Sequence, residues 1–263
     1  MVNSLESVAR TLIDALDLPV APVAVCFADS VPEGVPAYRG SVPAGCRFWQ
    51  EAATRVFATV ASDHELCAIG VYTHNLEGAA GYQGNLQDSL RVFGDLGYVR
   101  QEDLPFIPVL NRAVKVVVYG PLGATPLAPD VALLFVKPNQ TLILSEASQQ
   151  MENGLPPAMG RPACAVVPQA INTGRTALSL GCCGARAYLD ALTPDLALYA
   201  IPGSQLETFA ERVASLAKAN AVLTAFHNLR RKDVEAGKRP TVKESLDRYV
   251  ERVYALDPGD QLR

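Results

Sequence analysis

Two runs, AVKVVVYGPL (113–122) and DVALLFVKP (130–138), restrict the fold of this chain more than any other feature. Their β-branched and aromatic side chains favour extended backbone, and the Pro- and Gly-bearing stretch between them reads as a loop, so each run predicts a strand. Segments with helical spacing alternate with these strands: Val8, Leu12, Ile13 and Leu16 within 4–17, a second at 87–97 and a third near 139–150. Such alternation predicts an α/β fold, with a mixed α+β arrangement as the alternative. At 263 residues, 49% of them apolar, the chain can bury a sizeable core as a single compact domain over 1–263, a mixed sheet flanked by helices.

Other stretches fill in this outline. PVAPVAVCFAD predicts a buried strand with Cys26 inside it, and the Pro- and Gly-rich stretch 31–45 is a loop that ends at Cys46. FWQEAATRVFATVA then begins a helix-like pattern, while 62–86 reads as an irregular connection carrying Asp63, His64, Cys67, His74 and Asn75. Strands are expected over ACAVVPQAIN (163–172) and over 175–180, leading into LSLGCCGARAYLD. Residues 204–263 form a long C-terminal helical segment of the same domain. Its apolar face is Leu206, Phe209, Val213, Leu216, Leu223 and Phe226, and Arg230-Arg231-Lys232 reads as a solvated helix end. Capping-box patterns stand at Asn3 and Glu6, Ser204 and Glu207, and Thr241 and Glu244, and Asp257-Pro258-Gly259 is a stop signal.

Charge and hydropathy exclude several classes of function. A net charge of −4 without a basic stripe argues against nucleic acid as a partner. The most apolar run, VALLFV, is strand-sized, so no membrane span is expected. Asp14 and Asp17 interrupt any signal-peptide core at the N-terminus, which points to a cytoplasmic protein. G-x-G-x-x-G after a strand, the Walker A loop, G-x-S-x-G and H-E-x-x-H are all absent, so nucleotide, serine-hydrolase and zincin readings lose their anchors.

Six cysteines (26, 46, 67, 164, 182, 183) in such a chain are expected to be reduced thiols or metal ligands. Their spacing, with no C-x-x-C, leaves simple core filling open. Context separates them: Cys46 follows Gly45, Cys67 precedes Ala68-Ile69-Gly70 and Cys182 follows Gly181, at turns near helix starts where backbone N–H groups and the local dipole favour a thiolate. Cys26 lies in mid-strand, and Cys183, beside Cys182, must point elsewhere. A His-rich metal site could use only His64, His74 and His227, the first two near Cys67 in sequence, and each also reads as a surface or satisfied polar residue.

The chain resembles the prokaryotic DUF169 family along most of its length, in PVAPVAVCFAD, GCRFWQEA (45–52), HELCAIG (64–70), VYGPLGATPLAPDVALLFVKPNQ (118–140), ACAVVPQAINTGRTALSLGCCGARAYL (163–189) and AIPGSQLE (200–207). The resemblance implies a four-cysteine centre at Cys46, Cys67, Cys164 and Cys182, and assigns no activity. Four thiolates suit a [4Fe-4S] cluster or a closed four-cysteine zinc (Zn) site, and the lack of short zinc knuckles favours the cluster. The expected function is iron–sulfur chemistry, as an oxidoreductase or a lyase or desulfurisation-type enzyme, on a small anionic metabolite, with an electron-transfer protein as a further partner. Arg47, Arg175 and Arg186 are candidate carboxylate clamps and Trp49 a candidate aromatic wall; each also has an ordinary structural reading, as ion pair or core. The alternative is a metal- or redox-responsive binding module with structural zinc.

Overall fold

The valine-rich runs fold as strands in the computed structural model, which describes residues 2–78, 83–160, 162–190 and 192–256. In chain order the elements are α1 (Val2–Leu16), β1 (Val23–Ala28), α2 (Arg47–Ala52), β2 (Phe57–Val60), α3 (Ala68–Thr73), α4 (Gln83–Asp95), β3 (Val116–Pro121) and β4 (Val131–Val136). They continue with α5 (Pro138–Met151), β5 (Ala158–Met159), α6 (Val166–Thr173), β6 (Ala177–Ser179), α7 (Cys183–Tyr188), β7 (Ala197–Pro202), α8 (Leu206–Glu235) and α9 (Val242–Leu256). The chain divides into two compact units, Met1–Ala214 and Ser215–Arg263.

The first unit is a mixed α/β structure. Among the described residues its sheet has seven strands in the order β2-β3-β1-β4-β7-β6-β5, antiparallel except for the β5–β6 pair. β3 and β4 are not partners; β1 lies between them, with Val25 opposite Tyr119 on one side and Val131 on the other. Side chains alternate along a strand, so Val25, Phe27, Val117, Tyr119, Leu133, Phe135, Leu198 and Ala200 face one core, shared with Phe48 and Trp49 of α2 and Val166, Val167 and Ala170 of α6. On the other face Tyr199 bonds Ser148 and Leu144 of α5 and meets the Phe209 ring, and Gln140 of α5 caps the end of α1 through the Leu16 and Asp17 carbonyls. A sheet covered on both faces explains why these strands read as continuous apolar runs.

Two expected elements differ. The helix begun at FWQEAA stops at Ala52, where Thr54 and Arg55 both donate to the Glu51 carbonyl, and the β-branched and aromatic stretch after it becomes β2. The strand expected over 163–172 is instead a 3-10 turn, Ala163–Ala165, running into α6. A short apolar run fits a buried helix as well as a strand, and Pro168 lies in the first turn of α6, where its missing N–H costs no helix bond. The connection 62–86 also contains the short helix α3.

In the C-terminal segment Leu206, Phe209, Val213 and Phe226 are buried, but Leu223 is half exposed, so the apolar stripe is interrupted there. The capping box of α9 forms as expected: Thr241 N donates to Glu244 (2.7 Å) and Glu244 N to Thr241 Oγ1 (3.2 Å). Glu207, by contrast, accepts from Ser4. The Asn3 side chain and Asp257-Pro258-Gly259 lie outside the described residues.

Candidate metal centre

Each of the four singled-out cysteines stands where a helix begins. Cys46, Cys67 and Cys182 are the residues immediately before α2, α3 and α7, and Cys164 lies in the turn before α6. The corrected structure of 163–172 thus gives Cys164 the same setting as the other three. All four belong to or pack on the core of one sheet face, and they are near enough for charge on one to raise the pKa of others: Cys46 senses Cys67 and Cys182, and Cys164 senses Cys67, Cys182 and Cys46. Cys26 pairs with Val118 in the β1–β3 register, one step from the Val25–Tyr119 pair, and so points to the opposite face, where it meets Thr125 Oγ1 at 3.4 Å. Cys183 is exposed.

Burial overrides the thiolate-favouring helix starts. It pushes the Cys46 thiol up to about 12, and raises Cys67 and, well above its ordinary value, Cys164. The local donors act against this: Cys67 takes hydrogen bonds from the backbone at Gly45 and Gly70, and Cys164 from Thr73. Gly45 must be glycine for this packing, because a Cβ there would stand 2.9 Å from His64 Nδ1 and 3.8 Å from Cys67 Sγ.

In and against the same core lies a set of buried polar atoms with no hydrogen-bond partner: Trp49 Nε1, His64 Nδ1, both ring nitrogens of His74, and the Tyr119 hydroxyl. The four side chains are at most 2% exposed. The rings of His64, His74 and Tyr119 are connected through Phe48, which packs against His64 (4.7 Å between centroids) and Tyr119 (5.6 Å), and through His64, edge-on to His74 (6.4 Å). His64 Nε2 lies 3.0 Å from Thr59 Oγ1, whose own hydrogen is satisfied by the Val117 carbonyl at 3.3 Å; this network assigns the proton to Nε2 and leaves Nδ1 a bare lone pair. Burial holds both histidines neutral, His64 down to about 3 and His74 to about 4. Burial likewise keeps the Tyr119 phenol protonated, with Cys67, Cys164 and Cys46 adding to the effect. Unpaired buried polar groups are rare in folded proteins, and of these five atoms His64 Nδ1 and the Tyr119 hydroxyl lie near the thiols. Tyr119 escaped sequence reasoning; a lone tyrosine in the aliphatic run VVVYGP was the available signal.

The arginines have partners within the chain. Arg47 Nη1 donates to Tyr188 O (2.9 Å) and Asp190 (3.0 Å), tying α2 to the end of α7. Arg175 pairs with the buried Glu152 (3.0 Å) and bonds Pro156 O. Arg186 donates to the Leu180 and Thr193 carbonyls, clasping the turn that carries Cys182, while Gly181 in that turn adopts the left-handed φ of +88°. Trp49 is core, and His227 lies on α8 in the second unit, against Phe226.

Among the described residues, no three His, Cys, Asp or Glu side chains are gathered as ligands of one metal ion, and no helix is long and apolar enough to cross a membrane. The donor chemistry, four thiols with the unpaired polar atoms of His64 and Tyr119 near them, fits a thiolate-held group. In comparison with known proteins, no curated protein and no solved structure matches the chain. The sequence profile of DUF169, described as "Uncharacterised ArCR", matches residues 11–212, the stretch that carries all six cysteines and the whole sheet; the chain therefore belongs to the DUF169 family.

Proposed function

We propose that Cys46, Cys67, Cys164 and Cys182 hold a [4Fe-4S] cluster and that the protein carries out redox or lyase-type chemistry on a small anionic metabolite. The observation that carries this reading is the convergence of four thiols, from four separate segments, near the unpaired buried polar atoms of His64 and Tyr119. A single zinc would draw its sulfurs to within about 4 Å of one another around one point. Structural zinc is usually held by short cysteine knuckles, which this sequence lacks, and that favours the cluster.

When bound, such a cluster supplies one-electron chemistry if all four ligands are in place, and Lewis acidity if one iron is open. The chain's own residues shape that chemistry. Backbone groups at Gly45 and Gly70 hold Cys67 in position, Arg186 holds the Cys182 turn, and Phe48, Trp49 and Phe57 exclude water. Of the three arginines, Arg47 is the one suited to an anionic substrate, because its partner Asp190 is 84% exposed and exchangeable. Arg175 is committed to a buried glutamate.

The test is iron, zinc and acid-labile sulfide content, with a visible spectrum, of protein purified without oxygen. About four irons and four sulfides per chain, lost in each of Cys46→Ala, Cys67→Ala, Cys164→Ala and Cys182→Ala but kept in Cys26→Ala and Cys183→Ala, is the expected result. One colourless zinc would move the reading to a structural or responsive zinc module, and no metal at all would overturn both.

A further inference from the structure

Tyr119 is wholly buried, yet its hydroxyl has no hydrogen-bond partner. The ring cannot swing away, because it is packed against Phe48 (5.6 Å) and Phe57 (5.7 Å) beneath α2. The strand register directs it to the face that carries the thiols, and Cys67, Cys164 and Cys46 all lie within electrostatic reach of its oxygen. Phenylalanine would fill the same space without burying an unpaired hydroxyl, so packing alone does not account for tyrosine here. The contrast is Tyr199, on the opposite face, whose hydroxyl is paired with Ser148 and the Leu144 carbonyl.

We propose that the Tyr119 hydroxyl donates a hydrogen bond to sulfur at the centre held by Cys46, Cys67, Cys164 and Cys182, and thereby sets its reduction potential. The proposal rests on the cluster reading and makes Tyr119 a positioning residue. A donor at sulfur withdraws electron density and favours the more negative, reduced state, so it raises the potential. No atom is transferred; the proton stays on oxygen.

The experiment is an anaerobic redox titration of the iron-loaded wild type, of Tyr119→Phe, of protein carrying 3,5-difluorotyrosine at position 119, and of Tyr199→Phe. Tyr119→Phe is expected to keep its iron with a potential shifted to more negative values. The fluorinated phenol, a more acidic donor of almost the same shape, is expected to shift it to more positive values, and Tyr199→Phe to leave it at the wild-type value. Potentials that stay at the wild-type value in both position-119 variants, or that move in the same direction, overturn the proposal. Should Tyr119→Phe fail to fold, the sign of the fluorotyrosine shift decides alone. Wild-type protein without iron overturns the cluster reading itself, an outcome distinct from iron-loaded protein with an unmoved potential.

Discussion

His64 and His74 show most directly what burial costs at the level of single residues. In the unfolded chain both take up a proton near 6.5, whereas in the fold they stay neutral down to about 3 and about 4. The unfolded state therefore binds more protons below pH 6.5, and their stabilising contribution, full above that pH, is lost as the pH falls toward 3. Urea unfolding at about pH 7.5 and about pH 5.0 should give a lower midpoint at the lower pH. His74→Leu should flatten this dependence, because it removes one of the two groups and two unpaired nitrogens; an unchanged pH slope would refute the assignment. The cysteines divide at the same scale. Cys26→Ala should cost on the order of 1–2 kcal/mol in denaturant unfolding, as a small cavity does, and leave metal content untouched, because its side chain faces away from the other thiols. That Cys46, Cys67 and Cys182 stand at turns before helices was legible from the glycines near them. Tyr119 was not, since nothing in VVVYGP says which face of the sheet the tyrosine takes.

Single elements carry the positioning of the site. The turn 180–193 is held by the Arg186 guanidinium on two carbonyls, so Arg186→Gln should loosen Cys182 without removing any thiol. We expect iron to be retained roughly 10–100-fold less tightly, the usual effect of removing a supporting contact at a metal site, with little change in the thermal midpoint of the metal-free protein; a chelator-release time course measures it. In the second unit, Thr241→Ala removes the hydroxyl that accepts from Glu244 N–H, one half of the capping box of α9, while the backbone N–H of residue 241 can still donate to Glu244; it should cost about 1 kcal/mol, seen as roughly fivefold faster amide exchange in its first turn. Elements with one dominant signal were legible: the valine-rich strands, α1, α4, α5 and this cap. The stretch 163–172 was not, because an apolar run with a proline satisfies a buried strand and a buried first helical turn equally well. Only its packing beneath β6 and β7 selects the helix.

At the scale of the whole molecule, the proposed cluster would couple its loading to protons and to folding. Burial holds Cys46 protonated up to about 12 and raises Cys67 and Cys164 as well, so each of these that binds metal must give up a proton. Metal uptake should therefore tighten from about pH 6.5 to about pH 8.0, with proton release visible as a dependence of calorimetric heat on buffer ionisation enthalpy. The same thiols make the metal-free protein sensitive to base. Its stability is full below about pH 9, the unfolded thiol value, and falls as the pH rises toward 12, because only the unfolded chain ionises freely there. By itself the sequence determined the class of fold, the strands that form its centre and the four cysteines worth following, since these rest on local propensity, periodicity and side-chain chemistry. Only the tertiary structure decided that β1 separates β3 from β4, that Cys26 faces away, that the arginines have partners within the chain, that His64, His74, Trp49 and Tyr119 carry unpaired buried polar atoms, and that those of His64 and Tyr119 lie near the thiols. The reason is physical: strand order, pleat register and burial arise from contacts between residues far apart in the chain, which local propensity does not encode.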